Sequence, residues 1–184
     1  GAALLEKELA HPRYEPKTIA LGAVTDPYQP IERRLRLSRS ILDVLDRTNH
    51  PVGIVTKSAG VVRDIDILAR MAERGLVKVA ISVTTLDPRV ARSMEPRAAT
   101  PPKRIEAIRR LSDAGIPTTV MVAPIIPALN DSEIERILET AREAGAREAA
   151  FLAAEEFGSH QLGRNRTAID RNEWSGCTPP APRD

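Results

Sequence analysis

Five short apolar runs, rich in valine and isoleucine, alternate along the chain with amphipathic stretches of helical period. Thr18 to Thr25, Val52 to Lys57, Leu76 to Val83, Thr118 to Ile126 and Glu148 to Leu152 read as strands. Between them, Ile31 to Arg47 and Asp64 to Arg74 carry apolar residues at helical spacing. Asp87-Pro88 and Thr100-Pro101 each place an N-cap residue before a first-turn proline, so each predicts a helix start. Asn130 with Glu133 three positions on has the form of a capping box, opening a helix to Ala144. Gly1 to Ala10, with Leu4, Leu5 and Leu9, reads as the end of a helix entered midway. Strands alternating with helices predict an α/β fold with about five parallel strands. Periodicity leaves open whether the sheet is flat or curls into a barrel. The first strand lacks a glycine-rich phosphate loop, since Gly22 stands alone, and a dinucleotide-binding domain loses ground.

Aromatic residues make up only 3% of the chain, so the core is expected to be aliphatic, as in parallel strands covered by helices. The net charge of +2 gives no independent support for nucleic-acid or membrane binding. No apolar run is long enough for a membrane span, and no leader is visible at the start. One cysteine excludes an internal disulfide and makes a cytoplasmic location the expectation. Residues 1–153 form the expected core. Residues 154–184 are polar and proline-rich toward the end, and read as an irregular tail carrying His160, Trp174 and Cys177. His11, His50 and His160 have no metal-ligand spacing and read as surface residues.

In parallel α/β folds, chemistry gathers at the carboxyl ends of the strands. Here those ends carry Thr25 and Asp26, then Lys57, then Ser82, and finally Ala123 and Pro124. The short helix beyond the third strand runs into Glu95 and Arg97. Lysine at the end of an apolar strand is costly to bury unpaired. Lys57 is therefore a ligand for a carboxylate or phosphate, a catalytic amine, or a side chain reaching past the strand to solvent. Glu95 and Arg97 either belong to the same mouth or pair locally with each other. Asp26 before Pro27 is most simply a turn residue.

Six phrases in register resemble the radical S-adenosylmethionine (SAM) superfamily, within it the spore photoproduct lyase-like group. They are Thr25 to Glu32, Ile54 to Ser58, Val79 to Asp87, Met94 to Pro101, Arg104 to Ile108 and Val122 to Asp131, within residues 1–150. The resemblance implies a partial (β/α) barrel holding SAM and a [4Fe–4S] cluster. An electron from the cluster cleaves SAM to a 5′-deoxyadenosyl radical. It places Thr25, Lys57 and Ser82 against SAM, Ala123 and Pro124 on its adenine side, and Glu95 and Arg97 in the same mouth. Nucleic acid is implied as a partner only through the lyase relatives.

The family's Cys-x3-Cys-x2-Cys loop has no counterpart in the sequence, and its place falls before residue 1. Cys177 alone cannot replace it, because a cluster needs several thiolates. Ala23 stands where the related lyase has a cysteine, so that hydrogen-donor chemistry is not expected. The chain thus reads as a SAM-facing core, inactive by itself. A cluster-free lyase or aldolase using Lys57 as a Schiff-base amine, a ligand-binding module, and a non-functional gene fragment are the other readings.

Overall fold

The computed structural model describes residues 1–153. The expected tail, with His160, Trp174 and Cys177, lies outside them. Five strands form one sheet: β1 (Ile19–Leu21), β2 (Val52–Thr56), β3 (Val77–Ser82), β4 (Thr118–Ile125) and β5 (Glu148–Ala153). They lie in the order β1-β2-β3-β4-β5, every pair parallel. Around them run α1 (Ala2–Leu9), α2 (Glu32–Leu35), α3 (Leu37–Arg47), α4 (Ile65–Glu73), α5 (Pro88–Met94), α6 (Pro101–Asp113) and α7 (Ile134–Glu143).

That strand order selects the barrel alternative. Right-handed crossovers repeated in one direction put every connecting helix on the same face of the sheet. A doubly wound sheet must reverse its order to cover both faces. The helices pack accordingly in a row, α1 on α3, α3 on α4, and α6 on α7.

Strand residues alternate between two faces, and the register lines up equivalent positions across neighbours. The helix-covered face carries Val52 and Ile54, Val77, Val79 and Ile81, and Val120 and Val122, all buried. Each such side chain contributes about 1.5–3 kcal/mol by leaving water. The opposite, concave face carries mostly small or polar residues, Gly53, Ala80, Ser82, Thr119 and Ala123, together with the half-buried Val55 and Met121. At its amino-terminal end Lys78 reaches across β4 to Glu148 at 2.8 Å, closing that end with an ion pair. This is a partial barrel whose interior is lined for contact with something other than a helix.

Three elements differ from the sequence expectation. The first strand ends at Leu21 rather than Thr25. Gly22 has φ +97°, and a Cβ there would collide with the Val55 carbonyl oxygen, so the chain turns across the end of β2. The helix expected over Ile31 to Arg47 is broken at Arg36, which adopts φ 49°. The Glu32 carboxylate accepts from Leu37 N and Ser38 N, both at 2.9 Å, and so caps α3 from inside α2. The capping box at Asn130 and Glu133 does not form, because both side chains turn back toward the sheet.

His50 is a further correction: it is buried, not on the surface. Its Nε2 lies 2.7 Å from the Tyr14 hydroxyl and its Nδ1 3.0 Å from the Pro51 carbonyl. A donating Nδ1–H leaves Nε2 to accept from tyrosine. His11 is exposed, as expected.

Candidate functional site

The carboxyl ends of β1 to β4 are joined by side chains into one continuous rim. Asp26 is more than a turn residue. Its Oδ1 accepts from Tyr28 N at 2.8 Å and from the Thr56 hydroxyl at 2.7 Å. Its Oδ2 accepts from Lys57 N at 2.8 Å. Thr25, one residue earlier, is thereby set beside the end of β2. Thr56 pairs with Ile81, which carries Lys57 alongside Ser82. The Ser82 hydroxyl donates to the Ala123 carbonyl at 3.3 Å. Fully buried Asn130 locks the last two ends: its amide donates to Thr84 O and Pro124 O at 2.8 and 3.0 Å, and its Oδ1 accepts from Ile126 N.

Above this rim sits a charge cluster centred on Glu95. One carboxylate oxygen receives the Lys57 ammonium at 2.6 Å and the Thr84 hydroxyl at 3.0 Å. The other receives the Arg104 guanidinium at 2.5 Å. Burial pushes the Glu95 carboxyl up, but the Lys57 hydrogen bond and the Arg104 charge outweigh it and hold it below the usual glutamate value. Arg104 has only 2% of its side chain exposed and also donates to the Ala99 and Ser82 carbonyls, at 2.7 and 3.0 Å. A buried guanidinium is tolerable only with such complete partnering.

The Lys57–Glu95 pair lies in the wall of a cleft of about 840 Å³, between the connections that follow β1, β2 and β3. Asp26, Tyr28 and Glu32 enter from the first connection, Ser58 to Gly60 and Arg63 from the second, and Glu95 to Thr100 from the third. Arg63 donates to Glu32 and Asp64 and stands 5.7 Å from the centre of the Tyr28 ring. The Tyr28 hydroxyl is buried with no hydrogen-bond partner among the described residues. Burial first, and the Asp64 carboxylate second, push its pKa up, so it stays protonated.

Of the residues singled out from sequence, Lys57, Glu95 and Arg97 line the cleft. Thr25, Ser82, Ala123 and Pro124 do not. Thr25 is exposed, and Ser82 is buried against β4. Glu95 pairs with Lys57 and Arg104, so the local Glu95–Arg97 ion pair is absent among the described residues. Three residues central to the arrangement were not read in the roles they have: Asp26 as a cross-strand tie, Arg104 as a buried partner of Glu95, and Asn130, expected in a capping box, as the lock between strand ends. Arg104 did leave a signal, because it falls with Ile108 and Leu111 at i, i+4, i+7 on the apolar side of α6.

A SAM site and a cluster site stand differently here. The cleft offers an ammonium, carboxylates and hydroxyls of the types that hold an amino-acid zwitterion and ribose oxygens. No group of His, Cys, Asp or Glu among the described residues could hold a metal. The only cysteine, Cys177, lies outside them and could supply one thiolate where a cluster needs several. These residues therefore do not fit a cluster.

Fold and rim together define a half-barrel α/β protein that presents a polar mouth at the carboxyl ends of its strands. The model of the radical SAM superfamily matches residues 3–141, and the chain belongs to that superfamily. An uncharacterized protein of Mycobacterium tuberculosis is 36% identical over 167 residues, covering 90% of this chain and 48% of the relative. The chain thus spans about half the length of that relative. Among solved structures, a spore photoproduct lyase variant matches with TM-score 0.59 at 21% identity, over 77% of this chain and 41% of the lyase. SuiB of Streptococcus suis, bound to S-adenosylmethionine, matches with TM-score 0.56 at 12% identity, over 86% of this chain and 33% of SuiB. At such identities the likeness is one of fold. One of these folds has been seen with a dinucleoside spore photoproduct and the other with a precursor peptide, so the architecture does not select a substrate.

Proposed function

We propose that this chain is the SAM-facing core of a radical SAM enzyme, with Lys57 receiving the carboxylate of SAM. Supporting this is the Lys57 ammonium itself, held at the mouth by Glu95 and by the Asp26 bond to its backbone nitrogen. With a solvent exposure of 37%, its side chain is open to an incoming anion. Ser82, the Ala123-Pro124 segment and Thr25 stand on the same tied rim but outside the lining of the cleft, so their contact with the same molecule rests on the likeness to the superfamily alone. Arg97 borders the same cleft.

In the superfamily, SAM supplies a 5′-deoxyadenosyl radical once an electron reaches its sulfonium. The chain's own residues have more limited tasks: to orient SAM, to neutralise its carboxylate and to narrow the access of water. The Lys57 nitrogen is engaged by the Glu95 carboxylate at 2.6 Å rather than left free as a nucleophile, which works against the Schiff-base reading.

The test is calorimetric. In a version extended to carry the Cys-x3-Cys-x2-Cys loop and loaded with its cluster, Lys57→Ala should weaken SAM binding about tenfold or more. Unchanged affinity in a folded variant removes Lys57 from the site. Borohydride trapping of a carbonyl substrate on Lys57 would replace this reading with the aldolase one.

A further inference from the structure

We propose that the cleft binds the phosphate group of a small-molecule ligand, through Arg33, Arg97 and Lys103. The cleft is lined by five basic side chains, Arg33, Lys57, Arg63, Arg97 and Lys103, and by three acidic ones, Asp26, Glu32 and Glu95. All three carboxylates are committed. Asp26 is held by Thr56 and two backbone nitrogens. Glu32 caps α3 and receives Arg63. Glu95 receives Lys57 and Arg104. Those same bonds pair Lys57, which keeps an exposed side, and Arg63. Arg33, Arg97 and Lys103 remain exposed, and their side chains make no ion pair or hydrogen bond among the described residues.

Three unpaired cations from α2, from the segment after α5 and from the first turn of α6 thus border one concavity. They leave an excess of positive charge along the cleft that a bound anion would neutralise. Helix α6 adds to the field: its amino-terminal end lies at the cleft through Thr100, and its first turn holds no acidic residue. Two forked guanidiniums and an ammonium match a multiply charged phosphate better than a single carboxylate. A concave space of about 840 Å³ is of small-molecule size. A net charge of +2 provides no extended field for a polymer. The inference rests on the charge of the cleft and is independent of what Lys57 receives.

Inorganic pyrophosphate is the probe, titrated calorimetrically into the 184-residue chain. Saturable binding is expected, weakened about tenfold or more in the Arg33→Gln/Arg97→Gln double variant and unchanged in Arg110→Gln, an exposed arginine elsewhere on α6. Both sites of the double variant are exposed, and circular dichroism checks that it folds. Absence of saturable binding to the folded wild-type chain overturns the proposal, as does equal affinity in the double variant. Tighter binding of a single-stranded oligodeoxynucleotide, lost in the double variant, would overturn the small-ligand assignment in favour of a phosphodiester polymer.

Discussion

Replacing Glu95 by Gln keeps the shape of the side chain and removes its charge, which isolates the electrostatic role of the cluster. Arg104, only 2% exposed, then becomes a buried cation without a counter-ion. Breaking a buried pair in this way costs about 3–5 kcal/mol. Arg104 keeps its bonds to the Ala99 and Ser82 carbonyls, which places the cost near the lower end. Lys57 is much more exposed, at 37%, and its lost partner adds at most about 1 kcal/mol. The expected destabilisation is therefore about 3 kcal/mol. In urea, with a slope of about 1.5 kcal/mol/M, the midpoint should fall by about 2 M.

Linkage supplies a second readout. The Glu95 pKa is depressed in the folded chain, so its contribution is present above the ordinary glutamate value and lost as pH falls through the folded one. The gap between wild type and Glu95→Gln should accordingly close as pH drops below about 4.3. Pairing Glu95→Gln with Arg104→Met should give a double variant less destabilised than the sum of the singles. A loss below about 1 kcal/mol for Glu95→Gln, or an additive cycle, would refute the claim that this pair organises the mouth.

Two other perturbations follow from the same bonds. Asn130→Asp removes both amide donors to Thr84 O and Pro124 O and sets a carboxylate against them; a loss of about 3 kcal/mol, or about 10 °C in Tm, is expected in thermal unfolding, and a Tm within about 2 °C of wild type would show that the strand ends hold without it. Burial lowers the His50 pKa against the opposing pull of the Pro51 carbonyl, so stability should decline as pH falls below about 6.5, where only the unfolded chain readily takes the proton. His50→Gln, which cannot protonate, should flatten that slope in pH-dependent urea titrations, and an unaltered slope would assign it to another group.

The α/β class, the strands and their parallel arrangement were legible in the sequence because each rests on a local pattern: β-branched runs, helical spacing, and proline or glycine at element ends. Lys57 and Glu95 were legible too, since a charge ending an apolar strand and an acid after a short helix stand out against their neighbours. What paired with what was not legible. The bonds of Asp26 to Thr56 and Lys57 span about 30 residues, and that of Asn130 to Thr84 spans 46, so no local spacing encodes them. The break at Arg36, the burial of Arg104 and of His50, and the curl of the sheet into a half-barrel were also decided only in three dimensions. For Arg104 and His50 the deciding free energy belongs to a buried polar group finding its partners, for the break at Arg36 to the Glu32 cap, and for the curl to strand order. Sequence periodicity reports which side of an element avoids water, and leaves unstated which polar atoms must meet there.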